Sequence, residues 1–446
     1  MAMEETPVWK LLIRLSAPVM LALLIQSIYN IVDSYFVARY SAEGLAALSI
    51  IFPIQLLMTA LATGTGAGIN ILISRIDGAG DTKSQKDIIS TGFFLGIMGA
   101  LIFAAAGTPG IRIYYQISSE QELVREYGIQ YAQIIFALSL GMFVEAAGTK
   151  MLQAKSDMVL PMCAQVAGAV LNIVLDPFLI FGYCGFPELG VEGAAISTAF
   201  SRGVSMVILF VILFRKHIHR FPLAYFRPFP WMELKNLMKV GLPSAGEQLS
   251  YSSSQVVITY FINMLVESLA TRTYCVNIIM FAYLFSISMA QGGAICIGHL
   301  IGEKKPRAAF LMGKYVMKKS VMITLILSCI LALLGHVIFG WLTSNPEIIK
   351  MGVTILIIDV VLEIGRPINI FATNALRAAG DVNYPFYVGL VVMWSVAVGL
   401  GYLFGIPFGW GICGMWIAFL LDENIRGAIF VRRWYSMKWV SKSFIK

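Results

Sequence analysis

Several ionisable side chains of this sequence lie inside long apolar segments, where a charge is unfavourable. Asp33 follows Tyr29 and Asn30 in the first of these segments, and Asn172 and Asp176 occur four residues apart in a later one. Residues four apart share one face of a helix. Charged groups in such surroundings mark ion paths or structural pairs. The spacing therefore identifies Asp33, Asn172 and Asp176 as candidates for a cation site.

The depth of these residues predicts one outward-facing cavity that they share with Thr198. At about 1.5 Å per helical residue, Asp176 lies roughly 9 Å below the outer end of its segment, and Asp33 lies slightly closer to its own end. Thr198 enters from the same side in the next segment. In this cavity a carboxylate would carry H⁺, or Na⁺ would bind to oxygens of Asp33, Asn172 and Asp176. The alternative is that both aspartates are helix-end residues in contact with the lipid headgroups.

The second half of the chain contains two further charged groups, each on one face of a predicted helix. They are Asp359, Glu363 and Arg366, spaced i, i+4 and i+7, and Asp422, Glu423 and Arg426. Acids and bases mixed on two helices predict an interhelical salt-bridge network that fixes this half. Alternatively, because four acids accompany two arginines, a surplus acid forms a second ion or substrate site.

Two glutamates stand apart from these groups. Glu247 is the lone carboxylate of its apolar segment and is a candidate for the second ion or substrate site. Glu145 is close to the inner end of its segment, so we expect it to be interfacial.

The elements that position these residues are predicted to be membrane helices. The chain of 446 residues is 58% hydrophobic and 13% charged, with a mean hydropathy of +0.78. Soluble domains are about 45–50% apolar and about 25% charged. Apolar stretches long enough to span a bilayer recur throughout. Twelve spans are predicted, at 11–37, 45–73, 90–114, 128–151, 159–182, 190–214, 238–264, 272–300, 312–342, 348–375, 384–406 and 411–431.

The basic residues predict the orientation of these spans. If the N-terminus is cytoplasmic, most Lys and Arg residues fall in inner loops and tails, as the positive-inside rule requires. The net charge of +8 follows from this bias and does not indicate nucleic acid. We therefore expect a multi-pass protein of the cell membrane with both termini in the cytoplasm. The six cysteines are scattered, without a metal-binding or disulfide pattern.

The chain also repeats itself at a nearly constant offset. Leu152, Ala154, Asp157 and Pro161 recur 224 positions later as Leu376, Ala378, Asp381 and Pro385. Gly190-x-x-Gly193 recurs 221 positions later as Gly411-x-x-Gly414. Six spans per repeat give two halves of the same orientation, as in alternating-access transporters. The predicted divisions are an N-terminal lobe at 1–214, a cytoplasmic linker at 215–237 and a C-terminal lobe at 238–446.

Three motifs resemble the multidrug and toxic compound extrusion (MATE) family over essentially the whole chain. The most specific is NIVLDPFLIFG at 172–182, followed by GVEGAAIST at 190–198. The others are Val32-Asp33 before AALS at 46–49, and LRAAGD at 376–381 before Pro385. The counterpart of LRAAGD in the first half is LQAKSD at 152–157, which departs from the pattern in the inner loop but not at the proposed ion site.

The resemblance, which is to the prokaryotic DNA-damage-inducible branch, implies both a fold and a function. The fold is all-α, with twelve transmembrane helices in two six-helix pseudo-symmetric lobes forming a V-shaped central cavity. The implied activity is export of organic cations or metabolites in antiport with H⁺ or Na⁺, by a monomer that needs no cofactor besides the coupling ion. The coupling residues of the family match Asp33, Asn172, Asp176 and Thr198. Other branches couple to Na⁺ in the C-terminal lobe, so a second ion site there stays open.

Two rival functions are weighed against efflux. A lipid-linked oligosaccharide flippase, from the wider superfamily, needs more cationic residues in its cavity than Arg202, Arg366 and Arg426, the arginines placed inside spans. An enzyme needs a metal motif or a Ser/Lys dyad in mid-span, whereas His299 and His336 stand alone. The ATP-binding pattern GxxxxGK[ST] does not occur, so an ion gradient must drive transport. We therefore expect a secondary transporter and not an enzyme.

Overall fold

A computed structural model describes residues 7–216, 231–265 and 268–442 of the chain. Within these ranges the protein is helical and has no strand. The helices of the first half are α1 (Val8–Tyr40), α2 (Ala42–Ala79), α3 (Thr82–Ile102), α4 (Thr108–Ser118), α5 (Glu122–Ala137), α6 (Leu140–Ala154), α7 (Val159–Phe181) and α8 (Gly190–Lys216). A π-helical stretch, Phe103–Gly107, joins α3 to α4.

The second half repeats this order. Its helices are α9 (Trp231–Asn263), α10 (Ser268–Gly302), α11 (Pro306–Leu333), α12 (Gly335–Leu342), α13 (Pro346–Ala378), α14 (Asn383–Val392), α15 (Gly401–Gly405) and α16 (Gly411–Tyr435). The π-helical stretch Met393–Leu400 joins α14 to α15. Every one of the twelve predicted spans falls on one of these helices or on a consecutive pair, so the predicted all-α membrane fold is confirmed.

Fewer than twelve helices pass a simple test of length and apolarity. Eight described helices are long and apolar enough to cross a membrane, or nine if α5 and α6 count as one span. Among the described helices of at least 18 residues, those that do not pass are α9, α13 and α16. These three carry Glu247 and the two charged groups of the second half. The ionisable side chains of these helices therefore serve function or helix packing, because contact between a charged group and lipid is unfavourable.

The predicted span 128–151 is not one straight helix. Its two parts, α5 and α6, are bent by 47° where they meet. The hydroxyl of Ser139, at the bend, donates a hydrogen bond to the carbonyl oxygen of Ala100 on α3 at 3.2 Å. A side chain that bonds outside its own helix helps to open the helical ladder, and no proline marks the position, although Gly141 follows two residues later.

The chain divides into two compact units. The N-terminal unit comprises Leu21–Asp77 and Asp81–Ala245, and the C-terminal unit comprises Met1–Met20, Gly78–Gly80 and Gly246–Lys446. Most of the predicted linker at 215–237 lies outside the described residues, because 217–230 are not among them. The lobe boundaries at 214 and 238 stay a prediction.

The internal repeat is visible in how the helices pack within each unit. A Cβ at Gly193 would meet the backbone of Leu179 in the N-terminal unit. In the C-terminal unit a Cβ at Gly414 would meet the backbone of Phe404. Gly193 and Gly414 are the glycines that the sequence repeat pairs, so the same close approach of two chain segments recurs in both halves.

A glycine contact of this kind supplies a stability test. In the C-terminal unit a Cβ at Gly365 on α13 would lie 2.6 Å from the Cα of Asn424 on α16. Gly365→Ala must push these helices apart, and overpacking of this sort costs typically about 1–3 kcal/mol. We expect a lower thermal unfolding midpoint for the detergent-purified variant. Gly340→Ala is the matched control because nothing lies within 4 Å of its Cβ position; equal midpoints for the two variants would contradict the packing assigned to Gly365.

Candidate cation-coupling site

Three helices of the N-terminal unit bring the predicted site residues together. Asp33 is on α1, Asn172 and Asp176 are on α7, and Thr198 is on α8. Helix α7 ends at Gly182, whose φ of 71° is the left-handed conformation that glycine adopts without strain. The chain turns there, passes through the 3-10 turn Tyr183–Gly185, and enters α8, which packs against α7.

Asn172 is the centre of the hydrogen bonding in this site. Its side-chain amide donates to the hydroxyl of Ser197 at 3.0 Å, and to a carboxylate oxygen of Asp176 and the hydroxyl of Thr198 at 3.4 Å each. The Ser197 hydroxyl in turn donates to the carbonyl oxygen of Asn172 at 3.2 Å. The amide group thus holds α7 and α8 in register beside the Asp176 carboxylate.

Asp176 is fully buried, at 0% exposure, which contradicts the alternative that it is a helix-end residue wetted by the headgroups. The carboxyl groups of Asp33 on α1 and Asp176 on α7 interact electrostatically. Two carboxylates that share a site repel each other, and a proton or a cation between them removes that repulsion. One side-chain oxygen each of Asp33, Asn172 and Asp176 is buried without a hydrogen-bond partner. The site therefore offers oxygen atoms that suit either H⁺ or Na⁺.

Ser197 is the site residue that sequence reasoning missed. It is completely buried and contacts Asn172 twice. In the sequence, the indication for Ser197 was its position next to Thr198. Adjacent residues of a helix point in different directions, so the sequence did not predict that both would contact the site. In the parts of the chain that the structure describes, no group of three or more His, Cys, Asp or Glu residues is arranged to hold a metal ion.

A second polar cluster of the N-terminal unit adjoins this site. Arg202 on α8 forms an ion pair with Glu145 on α6 at 3.6 Å, and donates to the hydroxyl of Tyr29 on α1 at 3.4 Å. Glu145 is only 8% exposed, so the expectation that it is interfacial is wrong. The bend before α6 and the packing of α6 on α8 turn its side chain inward. The hydroxyl of Tyr131 on α5 accepts a hydrogen bond from Gln55 at 3.4 Å beside this pair.

In the C-terminal unit each arginine of the two charged groups binds two carboxylates of its own helix. Arg366 pairs with Glu363 and, at 3.2 Å, with Asp359. On α16 the arrangement recurs, with Arg426 paired to Asp422 and, at 3.3 Å, to Glu423. The predicted interhelical salt bridges are therefore corrected to salt bridges within α13 and within α16, because spacings of three, four and seven place each arginine over its own acids.

Neutral hydrogen-bond donors link the two helices instead. The side-chain amide of Asn369 on α13 donates to Glu423 on α16 at 2.6 Å. The indole N–H of Trp416 on α16 lies 3.5 Å from a carboxylate oxygen of Asp359 on α13. Each group contains two carboxyl groups and one arginine, so the surplus acid expected from the sequence is present on both helices.

Glu247 is not a lone carboxylate in the folded protein. It forms an ion pair with Arg377, near the end of α13 in the LRAAGD run. Asp381, also of that run, pairs with Arg433 at 2.7 Å. The structure also buries Arg75 completely. The sequence had placed only Arg202, Arg366 and Arg426 inside spans, so it undercounted the arginines shielded from solvent.

The arginine-centred groups predict a large loss of stability on removal of the cation. Arg366→Met leaves Asp359 and Glu363, which are 2% and 0% exposed, without their counter-charge. Breaking a buried pair from one side costs about 3–5 kcal/mol. Lys216→Met, which breaks the exposed pair with Asp157, should cost about 0–1 kcal/mol. Thermal unfolding of the purified variants measures the two losses of stability. Equal losses would contradict the role of Arg366 as the counter-charge of Asp359 and Glu363.

Comparison with known proteins gives one family match. The MatE family model matches residues 18–178 and again residues 243–403. The two matches are displaced by 225 positions, in agreement with the offset of the internal repeat. Together they cover more than half of the chain.

Individual relatives match along nearly the full length. An uncharacterized transporter of Bacillus subtilis, YisQ, is 31% identical over 416 residues, covering 92% of this chain and 90% of the relative. A probable multidrug resistance protein of Thermotoga maritima, NorM, is 25% identical, covering 99% and 96%. A solved structure described as the outward-facing conformation of a multidrug resistance MATE family transporter has a TM-score of 0.87 at 24% identity, covering 97% of each chain. This structural likeness supports the fold.

Proposed function

The chain belongs to the MatE family of multi-pass membrane transporters, and on that premise we propose that it is a secondary active efflux transporter. It exports organic cations or metabolites in antiport with H⁺ or Na⁺ by alternating access. The observation that carries the proposal is the buried Asp33–Asp176 pair with its unpartnered oxygens. Relatives that match along the chain are named as transporters and not as enzymes. The protein is therefore not expected to be an enzyme or to need a cofactor besides its coupling ion.

The proposed roles follow from the contacts. Asp33 and Asp176 bind the coupling ion, because they supply the negative charge. Asn172 and Thr198 complete the site with amide and hydroxyl groups that adjust to an occupied or empty state. Binding of the ion from outside favours release of the exported cation, and return to the inward-facing state carries the ion in. Such coupling requires that the ion bind the two states with different affinity.

The repeat argues that the N-terminal half holds the coupling site. At the offset of 225, Asp33 corresponds to Ile258, which is 1% exposed and belongs to an apolar core. Asp176, at offsets of 221 to 224, corresponds to the apolar stretch 397–400. The second half thus has no carboxylate at either of the two positions. The same ion could not be bound there by the same arrangement.

A second ion or substrate site in the C-terminal half is part of the proposal. Its members are Glu247, Asp359, Glu363, Arg366, Asp422 and Glu423. The surplus negative charge on α13 and α16 supports binding of a cation, either the exported one or a second coupling ion. Cytoplasmic termini, a monomeric state and the lobe boundaries at 214 and 238 remain proposals drawn from the loop charges and the repeat.

The alternative function is a lipid-linked oligosaccharide flippase. The additional shielded arginines favour it, because a pyrophosphate needs cationic partners. Arg366, Arg377 and Arg426 are all paired with carboxylates, however. Their charge is already neutralised, so efflux of a cationic or neutral molecule is the better supported function.

The proposal is tested by ethidium efflux from proteoliposomes under an imposed pH gradient or an imposed Na⁺ gradient. We expect wild-type efflux to follow one gradient, and Asp33→Asn to lose that acceleration by about tenfold or more, within the 5–150-fold range usual for coupled sites. Glu192→Gln, in the first turn of α8, removes a carboxylate outside the site and should behave as wild type. Gradient-driven efflux that persists in Asp33→Asn would contradict the proposed N-terminal coupling site. Absence of efflux under both gradients would sink the antiporter proposal itself.

A further inference from the structure

The ion pair of Glu145 and Arg202 is not needed by the coupling site as described. Glu145 on α6 is 8% exposed and lies 3.6 Å from Arg202 on α8, whose side chain is 30% exposed. Taking two charges out of water costs several kcal/mol per ion before their attraction is counted. A neutral contact between α6 and α8 would avoid this cost, so the charged version calls for an explanation.

The pair is connected to the coupling site through α1. Arg202 donates to the hydroxyl of Tyr29 at 3.4 Å. Tyr29 precedes Asp33 by four residues on the same helix face, about 6 Å along the axis. The hydroxyl of Tyr131 is within electrostatic range of Tyr29, Asp33 and Arg202. Polar groups on α1, α5 and α8 therefore lie between the carboxylates of Asp33 and Asp176 and that of Glu145.

The repeat shows what this contact looks like in the half that lacks counterparts of Asp33 and Asp176. Glu145 corresponds to Asn369 at the offset of 224, and Arg202 corresponds to Glu423 at the offset of 221. Asn369 and Glu423 also contact each other, with the amide donating at 2.6 Å. The same helix-to-helix contact is thus made in both halves. Only in the half that holds Asp33 and Asp176 is this contact made between a carboxylate and an arginine.

We propose that Glu145 is a second proton-binding carboxylate of the transport cycle, with Arg202 as the positioning residue that links it to Asp33 and Asp176 through Tyr29. The proposal rests on the proposed antiport with H⁺ as the coupling ion. Glu145 takes up one proton as its ion pair with Arg202 opens, and the Asp33–Asp176 pair takes up another. Both protons leave when the exported cation binds, after which Glu145 pairs with Arg202 again.

The surroundings leave Arg202 as the charged group that faces Glu145. Arg202 is the charged side chain that acts on Glu145 electrostatically. Lys150, further along α6, donates to Gln153 at 2.8 Å. Lys155, beyond the end of α6, pairs with Asp77 on α2 at 3.2 Å. The other ionisable groups described on the helices packed against α6 are Glu43, Arg75 and Asp77 on α2, Asp87 on α3, Cys163 and Asp176 on α7, and Glu192, Arg215 and Lys216 on α8.

Counting the protons released on ethidium binding tests the proposal. Calorimetric titrations of the purified protein in buffers of different ionisation enthalpy give that number at each pH. In acidic buffer we expect wild type to release about two protons, and Glu145→Gln to release about one fewer. Glu145→Asp retains a carboxylate and should restore the wild-type number. Asp157→Asn, which breaks the exposed pair with Lys216 in the same unit, should also release the wild-type number.

The outcomes separate this inference from the proposed function. If Glu145 only holds α6 against α8, Glu145→Gln lowers affinity or stability but releases as many protons as wild type, and the inference is overturned. If wild type binds ethidium without releasing protons, the inference is also overturned, whereas efflux driven by a Na⁺ gradient would leave the antiporter proposal standing. An equal loss of one proton in Glu145→Gln and Asp33→Asn supports two proton-binding sites.

Discussion

The burial of Asp176 sets the constraint to which the surrounding helices conform. A carboxylate with no exposed surface is tolerated only when neighbouring groups or a bound cation compensate its charge. Helix α7 supplies Asn172 one turn earlier, and α8 supplies Ser197 and Thr198 opposite it. The remaining neighbour, Asp33, adds charge instead of compensating it. In the proposed function a proton or a cation completes this arrangement.

The two halves share one arrangement of helices but differ in where their charged residues lie. The shared frame is visible in the matching close approaches at Gly193 and Gly414. In the second half the charged groups are held by arginines of the same helix, which fixes α13 and α16 while leaving a surplus of negative charge. In the first half the buried acid Glu145 and its partner Arg202 lie on different helices, α6 and α8, so this ion pair is a contact between helices. This difference suits the first half to respond to an ion.

Features of this arrangement that depend on local sequence could be predicted, whereas features that depend on contacts between distant segments could not. Most of the membrane helices follow from apolar length, although α9, α13 and α16 carry too many polar residues for that criterion alone. Asn172 and Asp176 follow from a spacing of four on one helix. The pairs Glu145–Arg202 and Glu247–Arg377 could not be predicted, because each joins helices that are distant in the chain. The bend at Ser139 also escaped prediction, since it depends on a bond to Ala100 on another helix.

The central claim is that the ion and the exported cation compete through the Asp33–Asp176 site. The most direct test is the equilibrium dissociation constant of ethidium for purified wild type and Asp176→Asn, measured as H⁺ and Na⁺ concentrations are raised separately. Because linkage is reciprocal, one of the two ions should weaken ethidium binding to wild type by about 5–150-fold, and Asp176→Asn should bind with nearly constant affinity. The account would be contradicted if Asp176→Asn retained the full wild-type dependence on that ion.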